Sequence, residues 1–102
     1  DTVTVTIGSS GMAIVLLHMT LSSTGYTGYM SYAVSGANTS AAADTKALMY
    51  QCPVNNIGGS FGSVFLETGL TAGSTTFKLK YRTASSATGT FSNRRIAVIP
   101  FF

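Results

Sequence analysis

A chain of 102 residues is long enough for one domain with its own core, which excludes a catalytic domain joined to an accessory one. A hydrophobic content of 45% excludes a disordered chain, whereas only 9% of the residues are charged, far below the roughly 25% of an average soluble domain. The formal net charge of +3 leaves a polyanionic partner open.

Apolar residues recur with a period of two along most of the chain, and turn residues interrupt them at short intervals, which is typical of an antiparallel sandwich or barrel. In chain order, the predicted strands cover Thr2 to Ile7, Met12 to Leu21, Gly28 to Val34, Thr45 to Gln51, Phe61 to Glu67, Thr76 to Thr83, Gly89 to Phe91 and Arg94 to Phe101. The stretch from Asn55 to Ser60, with its two adjacent glycines, is predicted as a turn. We therefore predict a single all-β, antiparallel β-sandwich over residues 1–102, in the form of a jelly roll of about eight strands.

Two of the predicted strands are apolar on both faces, although the outer face of a two-layer sandwich should meet water. The unexplained face of the second strand carries Ile14 and Leu16, with His18 beside them, and that of the last strand carries Ile99 and Phe101. Either a further part of the chain or another subunit must cover such a surface. We predict that these five residues belong to an oligomer interface.

The strand from Thr76 to Thr83 alternates apolar residues with Lys78, Lys80 and Arg82, which therefore point to the same side. This basic row either contacts an anionic polymer or only keeps an outer sheet face in solution, and nucleic acid is the less favoured partner. Tyr26 and Tyr29 lie among small residues, where they either stack on sugar rings or pack in a core or interface. These five residues are the candidate ligand contacts.

Titratable groups are too scarce for a convincing catalytic or metal site, since the chain has one His, one Cys and three carboxylates. A Cys52–His18 dyad is conceivable, but His18 lies at mid-strand among apolar residues, where a packed histidine is the simpler interpretation. No spacing argument joins Asp44 to Glu67 as a carboxylate pair. We predict a protein that is not an enzyme and that uses no metal or cofactor, and no apolar run reaches the ~18 residues of a membrane span.

The last third of the chain carries a resemblance to a known family. The run from Gly69 to Arg82, followed by Gly89 to Pro100, resembles the end of small jelly-roll domains in bacteriophage structural proteins, and Thr2 to Ser22 resembles their beginning. The shared features are a glycine-turned entry to one strand and an Asn-Arg pair before the last strand. These domains are similar in shape to the trimeric tumour necrosis factor-like heads, and they cap tail fibres, head fibres and minor virion proteins.

The resemblance implies a structural or receptor-binding attachment module of the virion, assembled in the host cytoplasm. Its expected partners are two further copies in a homotrimer, other virion proteins, and a host cell-surface glycan or anionic polymer. Such domains have another strand ahead of the position of Asp1, so we expect the sequence to be the C-terminal part of a longer chain. The alternative is a carbohydrate-binding module of a secreted bacterial protein, and a small hydrolase is the third hypothesis.

Overall fold

A computed structural model describes residues 1–24, 27–51, 55–83 and 89–102, in which the chain forms two antiparallel sheets packed face to face. The strands are β1 (Thr2–Ile7), β2 (Ala13–Thr24), β3 (Thr27–Gly36), β4 (Leu48–Gln51), β5 (Asn55–Glu67), β6 (Gly73–Thr83) and β7 (Gly89–Pro100). A short 3-10 helix, Asp44–Lys46, lies between β3 and β4. Sheet A has the order β1-β6-β3-β4 and sheet B the order β5-β2-β7. The predicted all-β, antiparallel β-sandwich is confirmed.

The described residues form seven strands where about eight were predicted, because the last two predicted strands are one. Asn93 has a φ of 50°, and the pairing of β7 with β2 shifts register beside it, so the irregularity is absorbed without ending the strand. The turn predicted for Asn55 to Ser60 is also wrong, because these residues pair with the end of β2 as the first half of β5. The strand order of the two sheets does not establish a jelly roll.

The core lies between the sheets and is built by alternation along the two central strands, β2 and β6. Every second residue of β2 from Ala13 to Leu21 is buried, and Phe77 and Leu79 of β6 face them from the other sheet. The buried apolar side chains are Ile7, Ala13, Val15, Leu17, Met19, Leu21, Met30, Tyr32, Val34, Leu48, Phe77 and Leu79. Burial of this set supplies the main driving force for packing the sheets together.

The turn between β1 and β2 depends on Gly11, whose φ of 68° is in the left-handed region. A β-carbon at this position would lie 2.7 Å from the carbonyl oxygen of Leu70, a distance that real contacts do not reach. The close approach lets the Leu70 amide donate a hydrogen bond of 3.0 Å to the Gly11 carbonyl. Gly11 thus joins the entry of β2 to the connection between β5 and β6, at one end of the sandwich.

Candidate functional site

The outer face of sheet B carries two adjacent rows of apolar side chains. In the first row, Ile14 of β2 lies between Leu66 of β5 and Ile99 of β7, each directly opposite it in the strand pairing. In the second row, Leu16 lies between Val64 and Ala97 in the same way. Residues directly opposite each other share a face, so these six side chains form one continuous surface. We call this surface the apolar face: Ile14, Leu16, Val64, Leu66, Ala97 and Ile99.

The apolar face is exposed to a degree that is unusual for side chains of this size. Val64 is 61% exposed, Leu66 58% and Ile99 50%, whereas Ile14 and Leu16 in the central strand are half-buried by their neighbours. An open depression of about 660 Å³ borders the face on the β7 side, and Leu16 and Ala97 contribute to its lining. None of the six residues carries a polar side chain, so this surface meets water without any hydrogen bond to compensate.

The apolar face changes to a polar surface within the next two rows. His18 lies opposite Arg95, and its Nδ1 donates a hydrogen bond of 3.0 Å to the backbone carbonyl of Asn93, a residue with positive φ. One row further, the Thr20 hydroxyl lies 2.9 Å from the Ser60 hydroxyl, and it accepts a hydrogen bond from the side-chain amide of Asn93. The surface is therefore apolar at one end and hydrogen-bonded at the other.

Four of the five predicted interface residues, Ile14, Leu16, His18 and Ile99, lie on this outer face, and the structure adds Val64, Leu66 and Ala97. Phe101 follows the end of β7, where it is half-buried, and its backbone amide donates to the carbonyl of Met12. The sequence could have indicated Val64 and Leu66 as well. They alternate with Phe65, so this part of β5 is apolar on both faces, as β2 is.

The outer face of sheet A carries the basic row. Lys78 and Lys80 are exposed on β6, next to Ala33 and Ser31 of β3, and neither ammonium forms an ion pair within the described part of the chain. Tyr29 lies on the same face, directly opposite Arg82. Sheet A thus presents two free positive charges on the side of the molecule opposite to the apolar face.

Arg82 differs from the two lysines because its charge is already matched. Its guanidinium makes a two-pronged ion pair with the carboxylate of Asp44, with Nε 3.0 Å from Oδ1, and lies 4.0 Å from the centre of the Tyr29 ring. The hydrogen bond from Arg82 lowers the pKa of the Asp44 carboxyl below its usual value. A shallow cavity of about 110 Å³ lies beside this pair. No sequence pattern indicated Asp44, since it comes from a connection that folds back over the sheet.

Because Asp44 already matches the charge of Arg82, we expect the loss of Lys80 to weaken binding to an anionic polymer more than the loss of Arg82. We expect Lys80→Ser to elute from a heparin column at lower salt than the parent protein, because a free cation that releases counterions is removed. Arg82→Ser removes the same formal charge, but this charge was paired with the Asp44 carboxylate and stacked on the Tyr29 ring. We therefore expect a smaller decrease in the salt concentration of elution. An equal shift for both variants would show that net charge alone governs retention, and no shift would make the basic row only a solubilising surface.

A polar cluster joins the two sheets at one side of the sandwich. The hydroxyl of Tyr32, fully buried on β3, donates a hydrogen bond to the carboxylate of Glu67 at the end of β5. Lys46 Nζ lies 3.8 Å from the same carboxylate and 4.8 Å from the centre of the Tyr32 ring, and it donates to the Ser40 hydroxyl at 2.8 Å. Burial raises the pKa of the Tyr32 hydroxyl far above its usual value, and the hydrogen bond and charge of Glu67 raise it further. We call this cluster of Tyr32, Glu67, Lys46 and Ser40 the interlayer clamp, because its hydrogen bonds connect the two sheets.

Two predicted residues, Tyr26 and Cys52, lie outside the described residues. Among the residues that are described, no group of three or more His, Cys, Asp or Glu side chains comes together in a way that would hold a metal ion. Asp44 and Glu67 belong to separate clusters, one with Arg82 and the other with Tyr32.

Within the described ranges, no helix has the length and apolar character needed to cross a membrane. Comparison with protein-family models, with curated proteins and with solved structures found no match to this chain.

Proposed function

We propose that this domain is a non-enzymatic assembly and attachment module of a bacteriophage virion, either a fibre head or a surface decoration, that works as a homotrimer. The observation that carries the assembly part is the apolar face of sheet B. The virion context depends on the resemblance of Gly69 to Arg82 and Gly89 to Pro100 to phage jelly-roll domains.

Assembly is the simplest way to remove the apolar face from water. Each Å² of apolar surface that a neighbouring copy buries contributes about 25 cal/mol, and a contact must exceed an association cost of about 4–15 kcal/mol. The six side chains of the face are contiguous and uncharged, so a flat apolar surface of another copy meets no unpaired charge there. The same face on a monomer would be a site for non-specific aggregation.

The two outer faces support different tasks in this proposal. When copies meet through sheet B, the basic row on sheet A stays exposed on every copy. Three copies then present Lys78 and Lys80 three times, and weak contacts to a repeating anionic polymer on a host surface add up through a high effective concentration. The threefold axis itself follows from the resemblance, since twofold dimers are the commoner arrangement in general.

Measuring the mass of the purified chain by light scattering at low micromolar concentration tests the assembly. We expect about three times the chain mass of 10.6 kDa for the parent protein. Ile99→Glu should give the monomer mass, because it places an uncompensated charge within the apolar contact. The matched control is Thr6→Glu, which adds the same charge to the exposed outer face of sheet A and should leave the mass unchanged.

Three results would contradict parts of this proposal. A parent mass near 10.6 kDa would remove the assembly, and an unchanged mass in Ile99→Glu would place the contact elsewhere. A twofold mass that Ile99→Glu reduces to the monomer mass would keep the face contact and remove the threefold axis. Absence of the chain from purified phage particles, judged by mass spectrometry, would remove the virion role.

The carbohydrate-binding alternative has less support. Stacking on a sugar needs a bare aromatic ring. Tyr29, the one candidate ring within the described residues, has the Arg82 guanidinium 4.0 Å from its centre. A glycan array that shows binding abolished by Tyr29→Ala, together with a monomeric mass, would favour this alternative over the proposed assembly.

A further inference from the structure

Within the described residues, the edge strand β5 has less protection against a further strand than the other edges of the sandwich. It is 13 residues long, and β2 is its single strand neighbour within the described residues. From Asn55 to Leu66 the sequence holds no charged residue and no proline. Its one charge, Glu67, is turned toward Tyr32 in the interlayer clamp. Such an edge presents a row of backbone donors and acceptors to any extended chain.

The other three edges carry the features by which proteins prevent strand addition. In sheet A, β4 has only four residues and β1 only six. In sheet B, β7 is nearly as long as β5, but it carries Arg94 and Arg95, ends at Pro100, and is distorted where Asn93 has positive φ. Short length, charge, proline and bulges each disfavour edge pairing. Apart from a register shift at its start, where Thr24 pairs with Asn55, β5 has none of these four features from Ile57 to Leu66.

We propose that β5 pairs in antiparallel fashion with β5 of a second copy of this chain, so that sheet B continues across a twofold axis. The charge distribution favours a second copy as the occupant. The chain has a net charge of +3, yet the cations that form no ion pair among the described residues lie on the far edge of sheet B, at Arg95, and on sheet A, at Lys78 and Lys80. Two copies that approach through β5 bring no like charges together.

The pairing also extends the surface already present. A twofold axis perpendicular to the sheet keeps the outer faces of both copies on the same side. Val64 and Leu66 of both copies, each more than half exposed, then lie on the same side of one continued sheet. This contact lies in the plane of the sheet and uses backbone groups, so it is distinct from the proposed trimer contact, which covers the apolar face from above.

Two serines offer a matched test, because Ser60 on β5 and Ser92 on β7 flank Thr20 from opposite sides of the same row. Both are exposed, so a lysine fits at either position. The experiment uses Ile99→Glu as background to remove the face contact, and mass is measured over rising concentration. We expect a shift from 10.6 kDa toward twice that value, abolished by Ser60→Lys and retained in Ser92→Lys.

Hydrogen exchange of the unmutated chain gives a second readout that needs no variant. Peptides covering 55–67 should gain protection as concentration rises, whereas peptides covering 89–100 should gain less. An Ile99→Glu protein that stays monomeric at all concentrations, an equal effect of the two lysines, or protection confined to β7 would overturn the edge pairing. If the proposed trimer contact is wrong, Ile99→Glu will leave the mass of the parent protein unchanged. The edge pairing is then tested by introducing Ser60→Lys into the parent chain.

Discussion

Replacing Phe77 with alanine is expected to lower the free energy of unfolding by about 3–5 kcal/mol, the range for removing a fully buried aromatic ring. Phe77 is completely buried on β6 between Val3 and Val34 of the neighbouring strands, and its ring centre lies 6.0 Å from that of Tyr32. The loss combines the transfer of the ring to water with the cavity left between the sheets. Since domains of this size are stable by about 5–15 kcal/mol, the variant should be close to unfolding.

Urea unfolding followed by circular dichroism, with all proteins at one concentration because assembly shifts apparent stability, measures this change. The matched control is Met49→Ala, which removes a large apolar side chain that is 61% exposed on the outer face of sheet A. We expect a change below about 1 kcal/mol for it. Similar losses for Phe77→Ala and Met49→Ala would contradict the assignment of the core to the space between the sheets.

Replacing Tyr32 with phenylalanine is expected to destabilise the domain by about 1–2 kcal/mol at neutral pH. The variant keeps the ring in the core and removes only the hydroxyl that donates to the Glu67 carboxylate, a hydrogen bond to a charged group. Glu67 retains Lys46, which limits the loss. The control Tyr81→Phe removes a hydroxyl that donates to the exposed carboxylate of Asp1 at 3.1 Å, and it should cost less than about 1 kcal/mol.

The loss of folding stability caused by Tyr32→Phe should become smaller at alkaline pH. The pKa of Tyr32 is raised in the folded protein above its usual value of about 10, which applies to the unfolded chain. The stabilisation is therefore complete below pH 10 and declines as pH rises above it, because the unfolded state releases the proton first. We expect the stability gap between Tyr32→Phe and the parent to narrow by about 1 kcal/mol between pH 10 and pH 11. A gap that stays constant would contradict burial of the hydroxyl.

The assembly and edge proposals meet at β5, which contributes Val64 and Leu66 to the apolar face and its backbone to the edge. A threefold contact through the face alone closes into a trimer. Adding a twofold contact through the edge joins trimers into a larger symmetric or open assembly. The ratio of the two contact strengths would then decide whether the domain forms a discrete head or a continuous layer, and the concentration series separates these cases.

The alternation of apolar and polar residues by itself determined most of the sheet structure. It predicted the strands β1, β2 and β6 to within a few residues, and it identified Met12 to Leu21 as apolar on both faces. The prediction works because side chains of a strand alternate strictly between faces, so a face can be read from sequence without knowing the partner strands. The paired glycines of β5 were misread as a turn, because glycine has no side chain to show which face it occupies.

Only the tertiary structure decided which residues from distant strands share a surface. The pairing of β2 with both β5 and β7 brings Val64, Leu66, Ile14 and Ile99 into one face, and local alternation contains no information about strand order. The same holds for Arg82, whose alternation with apolar residues placed it in a basic row but could not show Asp44 folding back to neutralise it. Contacts between loop and sheet depend on how the chain closes its connections, which is a property of the whole fold.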